Sequence, residues 1–300
     1  MTFPDVFCVM VADLTGRETR ETAHGNQRTH HVTTTDGVII GATVHGQGPP
    51  LVFLHGMLGD GDIDWNRLVG HLTGRFTCHL PSQRGRGLSG DHPDLSYGRQ
   101  VDDFLAYVDS IGEPTGLVGW SGGAWPVLAR QRSPTRWPRW PPFEPEHVGL
   151  ADEQEQAAFG NAVARAAELA TEGDLTAAVR PLAGFVFNDE EIAVLEDAGY
   201  LEATGRYVPK LLNFFQQLKE YEGPPPEDPV VLGGISAPVL VLLGSDTKPL
   251  AATSARHVAD HVPNARIQEI PGAGHAAPLT HPEPLAEALT EFFATTQQPA

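Results

Sequence analysis

The chain has 300 residues, 41% hydrophobic and 19% charged, a globular balance with room for one large α/β domain and an insertion. Its formal net charge of −18 opposes nucleic acid and anionic membrane surfaces, and no apolar run approaches the roughly 20 residues that span a bilayer. Two cysteines, Cys8 and Cys78, build no disulfide framework, and the start MTFPDVFCVMVADL lacks a positive n-region and carries Asp5 and Asp13, so a cytoplasmic protein without a signal peptide is expected.

Residues 1–30 show no clear period and turn polar after Leu14, which predicts a poorly ordered arm. Thr- and Val-rich runs around Asp36-Gly37 predict a β-hairpin over 31–45. LVFLHG, 51–56, is a continuous apolar run of the kind buried on both faces of a parallel sheet. A helical stretch around Trp65 to Leu72 and a short strand, FTCHL, 76–80, follow. Tyr97 to Ile111 is the clearest amphipathic helix, with Val101, Phe104, Leu105 and Val108 at i, i+3, i+4 and i+7. GLVGW, 116–120, is the next strand, and GGAWPVLARQR the next helix, where Pro126 fits only in the first turn. A further strand is due at 132–142, but RSPTRWPRWPP is rich in proline, which a central strand tolerates poorly. From about 150 to 222 the pattern is helical without a strand, and EGPPPEDP, 222–229, reads as a stiff linker back to the sheet. PVLVLLG, 238–244, and ARIQEI, 265–270, are later strands, and 283–294 is a last helix with Leu285, Leu289, Phe292 and Phe293 on one face. Strands alternating with helices predict a mostly parallel sheet with helices on both faces. The expected organisation is a core of 31–149 and 223–300, interrupted by a helical cap, 150–222.

The run LVGWSGGAW, 117–125, places Ser121 in a G-x-S-x-G pattern between a strand and a helix. A serine hydroxyl is a weak nucleophile that needs a histidine to take its proton and a carboxylate to orient that histidine. A strand-to-helix turn makes the hydroxyl stand clear of the sheet but crowds the backbone, so small residues such as Gly119 and Gly123 flank it. Gly122 adds a backbone N–H at a helix N-terminus, where the dipole favours an oxyanion. His275 follows the ARIQEI strand on a Gly-rich loop, and Asp246 lies just past the VLVLLG strand. The order Ser121, Asp246, His275 is one of the three known layouts of such a triad. An aspartate at position 246 could equally serve as the cap of the helix that follows.

These residues resemble the α/β-hydrolase family over roughly 31–296. The resemblance rests on FLHGMLG, on SQRGRGLS (which is similar to the family's D-x-R-G-x-G-x-S turn with Ser82 for the aspartate), on the elbow GWSGG, and on LLGSD followed by PGAGH. It implies an α/β-hydrolase fold and an oxyanion hole formed by the N–H groups of Met57 and Gly122. Asp246 lies two residues after Gly244, whereas many members place the acid three after, where Thr247 stands here. PPFEPE resembles an EPP-like turn of some members, which makes Glu144 a reserve for the acid.

The function implied is a serine hydrolase of a small apolar ester, lactone or thioester, with neither metal nor organic cofactor. Alternatives keep the triad for C–C bond hydrolysis, amide or iminopeptide cleavage or perhydrolysis, or keep only the fold as a binding protein. A small-molecule substrate is expected, with no nucleic-acid or membrane partner; the oligomeric state stays open. Thirteen histidines invite a metal, yet no H-E-x-x-H or C-x-x-C occurs. DGDIDW, 60–65, begins like a calcium loop, but Trp65 stands where glycine is needed and His71 where glutamate is needed, which leaves a solvated acidic loop near the pocket rim. RGRG, 84–87, reads as a turn. Phe159, Phe185, Phe187, Phe214 and Phe215 are expected in the cap core, a few of them lining the substrate cavity.

Overall fold

The computed structural model describes residues 7–10, 28–130, 150–221 and 225–295. Among these residues eight strands form one sheet: β1 (Phe7–Met10), β2 (Arg28–Thr33), β3 (Ile39–Gly46), β4 (Pro50–Leu54), β5 (Thr77–Pro81), β6 (Gly116–Trp120), β7 (Val239–Gly244) and β8 (Ala265–Ile270). Their spatial order is β2-β3-β5-β4-β6-β1-β7-β8. Among the described strands only the β2–β3 and β3–β5 pairs are antiparallel. The parallel remainder matches the expected mostly parallel sheet.

The slot between β6 and β7 departs from the expectation. It is filled by β1, with Phe7–Met10 paired in parallel to Leu117–Trp120 on one side and to Val239–Leu242 on the other. Residues 7–10 are therefore part of the sheet and not of a loose arm, and β2 likewise starts at Arg28. Both neighbours turn rows of backbone N–H and C=O groups toward this slot, and such groups are costly to bury unpaired. The sequence FCVM is apolar and free of proline, as a central strand requires. The segment due there by chain order, 132–142, lies outside the described residues.

Helix α1 (Gly61–Val69) starts earlier than its apolar pattern suggests, because the Asp60 carboxylate caps it, accepting from the N–H groups of Asp62 and Ile63 at 3.0 and 2.9 Å. Helix α2 (Tyr97–Ile111) keeps its predicted bounds. Helix α3 (Ala124–Arg130) carries Pro126 in its first turn, where no N–H is missed. Residues 150–221 are all helix and turn: α4 (Glu153–Glu172), α5 (Leu175–Val186), α6 (Asp189–Asp197), α7 (Tyr200–Gly205) and α8 (Val208–Leu218). Capping boxes open α4, through Asp152 and Glu155, and α6, through Asn188 and Glu191. The chain then returns through α9 (Pro229–Gly233), α10 (Pro249–His261), α11 (Ala277–Thr280) and α12 (Pro282–Thr295). None of the described helices is long and apolar enough to cross a membrane.

The core divides along the sheet. Leu240 and Leu242 pack with Phe53, Trp65 and Trp120 on one face, in a cluster continuous with the cap. Val239, Val241 and Leu243 pack with Tyr107 and Trp125 on the other. Such alternation follows from the two-residue period of a strand.

The RGRG turn spends its charges inside the protein. Arg84 makes a bidentate contact to Asp103 at 2.6 and 2.7 Å and reaches Asp36 at 3.0 Å. Its side chain is 0% exposed and that of Asp103 4%. Removing one member of a buried pair strands the other charge, at roughly 3–5 kcal/mol. Arg84→Met is therefore expected to lower unfolding stability by about that amount in a urea titration; a loss below ~1 kcal/mol would show that Asp103 finds another partner.

Candidate active site

Strand β6 ends on Trp120, and the next residue, Ser121, has φ +54°, the only positive φ outside glycine among the described residues. A 3₁₀ turn, Ser121–Gly123, leads straight into α3. The turn is possible because two flanking positions lack a Cβ. A Cβ on Gly119 would lie 2.6 Å from Ala124 Cα, and one on Gly123 would lie 2.3 Å from the carbonyl oxygen of His55. The sharp corner lifts the Ser121 side chain off the sheet and presses the turn against the end of β4.

His275 arrives on the loop after β8. It is 2% exposed, and its Nε2 lies 2.8 Å from Ser121 Oγ across 154 positions of sequence. Its backbone is held from both sides. The Trp120 indole N–H donates to the His275 carbonyl at 2.7 Å, and the N–H of Ala276 donates to Glu191 Oε1 at 2.6 Å. Glu191 belongs to α6 of the cap and is 1% exposed. The rings of Trp120 and Phe187 flank the imidazole at centroid distances of 5.9 and 5.6 Å.

Asp246 stands elsewhere in this geometry. It is exposed, its carboxylate accepts from Ser245 Oγ at 2.6 Å, and its own N–H donates to the Ala273 carbonyl at 2.8 Å. Ser245 Oγ in turn accepts from Gly272 N–H at 2.8 Å. The loop after β7 is thus laced to the histidine loop, with the Asp246 carboxylate turned to Ser245 and not to His275. Two residues on, Lys248 Nζ donates to the carbonyl of Gly184 at 2.5 Å and ties the same loop to the cap. Glu144 lies outside the described residues.

The loop after β4 is framed by buried ionisable side chains, one for each of three successive peptides. Asp64 Oδ2 accepts the N–H of Gly56 at 2.9 Å. His55 Nδ1 donates to the Gly56 carbonyl at 2.7 Å, while His55 Nε2 accepts from Gln83 N–H at 3.0 Å. Those two partners require the neutral Nδ1–H tautomer. Burial, with Arg86 nearby, pushes the His55 pKa down to about 4, in keeping with that state. Arg86 Nη1 donates to the carbonyls of Met57 and Gly59. In a trans peptide the C=O and the following N–H point oppositely. Fixing the Gly56 carbonyl on His55 therefore turns the Met57 N–H away from that ring. Gly122 is buried on the N-terminal side of α3.

Ser121 and His275 open into a cavity with about 610 Å³ of non-atom space, its open mouth included. Gly56, Met57, Leu58 and Trp120 line the core side. Phe159, Leu182, Phe185, Phe187, Leu211 and Phe215 line the cap side. Phe214 is buried in the cap core and is not part of this wall.

DGDIDW is not a solvated loop. Asp60 is 3% exposed and Asp64 is fully buried. Tyr207 of the cap donates its hydroxyl to Asp60 at 2.5 Å, and Tyr200 donates to Asp64 at 3.0 Å. The helix-start signal was present in Asp60 followed by acidic residues, and Asp64 shares a helical face with Leu68 at i+4. Neither signal names tyrosines more than a hundred positions away. Glu191, Arg86 and His55 were missed for the same reason.

Comparison with known proteins places these features in context. The Alpha/beta hydrolase family matches residues 51–288. The sn-1-specific diacylglycerol lipase of Mus musculus is 26% identical over 272 residues, covering 82% of this chain and 81% of the relative. The 2-(acetamidomethylene)succinate hydrolase of Mesorhizobium japonicum is 26% identical over 258 residues, covering 83% and 89%. The crystal structure of an alpha/beta hydrolase from Sphaerobacter thermophilus superposes with a TM-score of 0.64 at 26% identity, covering 88% of this chain and all of that one.

The Trp120–His275 bond supplies a test of this geometry. Trp120→Phe keeps an aromatic ring beside the imidazole and removes the indole donor, together with part of the buried ring volume. Misplacing a reacting group by ~1 Å costs as much as 10²-fold in rate. The substitution is expected to lower turnover at least about tenfold while the thermal midpoint moves by only a few degrees. Unchanged turnover would show that the loop holds His275 without Trp120.

Proposed function

The chain belongs to the α/β hydrolase family, and on that premise we propose that it is a serine hydrolase of carboxylic esters with an apolar acyl or alkoxy part. The observation that carries this reading is the Ser121 Oγ to His275 Nε2 contact of 2.8 Å at the floor of an apolar cavity. The mouse relative, named an sn-1-specific diacylglycerol lipase, supports the same chemistry.

In this reading His275, with its proton on Nδ1, takes the Ser121 hydroxyl proton on Nε2 as Oγ attacks the ester carbonyl carbon. The tetrahedral oxyanion lies against the N–H groups of Met57 and Gly122. The C–O bond then breaks, and the proton on Nε2 goes to the departing alkoxide. Water enters, gives a proton to Nε2 and attacks the acyl-enzyme; collapse returns the proton to Ser121 and releases the acid. The cavity walls exclude water from the acyl group and favour apolar substrates. A metal or organic cofactor has no part in these steps.

Ester hydrolysis is tested with a chromogenic series from acetate to long-chain acyl groups, run beside a lactone and an amide. Ser121→Ala is expected to remove activity by about 10⁶ in kcat and to abolish labelling by a fluorophosphonate. Activity within tenfold of the parent would sink the serine mechanism; a parent that neither turns over nor labels would leave a binding protein of this fold.

Asp246 is the acid suggested by chain order, and its carboxylate reaches Ser245 instead of His275. Loss of a working triad acid costs about 10⁴ in kcat. From the observed geometry Asp246→Asn is expected to cost far less, on the order of tenfold or below, through the loop it laces. A fall near 10⁴ would mean that the carboxylate swings from Ser245 to His275 during catalysis.

A further inference from the structure

Asp64 occupies a place where a carboxyl group is expensive, fully buried beneath the cavity wall. Burial, together with the nearby Asp60, pushes its pKa well above the usual carboxylate range. A leucine could fill such a space at lower cost, so the partners of the carboxyl are informative. Two donors reach it: the Gly56 N–H at 2.9 Å on Oδ2 and the Tyr200 hydroxyl at 3.0 Å on Oδ1. Gly56 N–H lies in the peptide just before the one that carries the Met57 N–H. Tyr200 opens α7 of the cap, and the same side chain lines the cavity. A group that lines the cavity is therefore one carboxyl away from the peptide that, in the serine-hydrolase reading, meets the oxyanion.

We propose that Asp64 and Tyr200 are positioning residues through which the cap sets the oxyanion loop, the Tyr200 hydroxyl orienting the Asp64 carboxyl and that carboxyl holding the Gly56 peptide; this rests on the serine-hydrolase reading above. The ring of Tyr200 serves the pocket, while its hydroxyl serves the loop. The two jobs separate cleanly in Tyr200→Phe, which keeps the ring and removes only the donor. A neighbouring bond provides the contrast. Tyr207 also ties the cap to α1, but its hydroxyl meets Asp60, whose other Oδ atom caps the helix, and it touches no N–H of residues 56–58.

The experiment measures kcat and KM with 4-nitrophenyl butyrate, and inhibition by an aryl trifluoromethyl ketone and the matching aryl methyl ketone. The first ketone forms a tetrahedral oxyanion on Ser121; the second stays planar and reads the cavity alone. Tyr200→Phe is expected to lose about tenfold in kcat and about tenfold in affinity for the trifluoromethyl ketone, the scale of one hydrogen bond to a carboxyl group. KM and methyl ketone affinity should stay within about twofold, a difference too small to represent a lost hydrogen bond. Asp64→Asn should show the same split, and the double variant should be no worse than the poorer single, because both act along one path. Tyr207→Phe should keep the parental kcat.

The proposal is overturned if Tyr200→Phe keeps parental kcat, if only its KM rises, or if Tyr207→Phe loses kcat equally. If Asp64→Asn fails to fold, Tyr200→Phe with a parental melting temperature decides alone. A parent that neither hydrolyses the ester nor takes a fluorophosphonate on Ser121 overturns the serine-hydrolase reading first, and a parent that does both leaves the positioning claim to stand or fall by the variants.

Discussion

The backbone of Ser121 is the constraint on which the rest of the site depends. A left-handed conformation costs a non-glycine residue on the order of 1–2 kcal/mol. It persists here because the surroundings leave no alternative. Strand β6 is paired on both sides, α3 starts at once, and the turn is packed so closely that neither Gly119 nor Gly123 could carry a Cβ. The atom nearest to a Cβ at Gly123 is the carbonyl oxygen of His55, the residue that begins the loop after β4. Elbow and loop are therefore locked to each other before any substrate arrives. Preorganisation of this kind is what makes backbone N–H groups useful against a developing negative charge.

The second requirement is that the loop itself hold still, and it is met with ionisable side chains that the composition alone would assign to the surface. Asp64, His55 and Arg86 each take one of three successive peptides. All three side chains are buried, and each finds a partner for the group it brings. A satisfied network in a low-dielectric setting holds its geometry firmly, whereas a half-satisfied one would be worse than an apolar core. Arg84 plays the corresponding part on the far side of the same turn, with Asp103 and Asp36. The strong excess of acidic residues thus coexists with an interior in which Arg84 is matched by two carboxylates and Arg86 by backbone carbonyls.

The cap completes the enclosure and contributes more than apolar walls. Three polar contacts between cap and core fall on parts of the site, beside others that do not: Glu191 on the N–H after His275, Tyr200 on Asp64, and Lys248 from the loop after β7 onto the end of α5. Phe187 leaves the end of α5 to stack on Trp120 and flank His275. An insertion that merely covered a cavity would need none of these bonds. Their placement ties both the histidine loop and the loop after β4 to the cap.

Much of this was legible in the chain itself, for physical reasons that act locally. Continuous apolar runs mark strands buried on both faces, and 3.6-residue spacing marked α2 to the residue. Small residues around Ser121 follow from the crowding of a strand-to-helix corner, and a Gly-rich loop after a late strand located His275. What the sequence could not decide are pairings between distant segments and the direction in which a side chain points. FCVM is too short to announce itself as a central strand, and it becomes one because β6 and β7 both need a partner in that slot. An acidic stretch reads as solvated until tyrosines from the cap reach it, and chain order points to Asp246 without saying that its carboxylate lies on Ser245. Local patterning is set by backbone period and sterics, which the residues carry with them. Burial of a charge is set by partners that only the tertiary fold brings within hydrogen-bond reach.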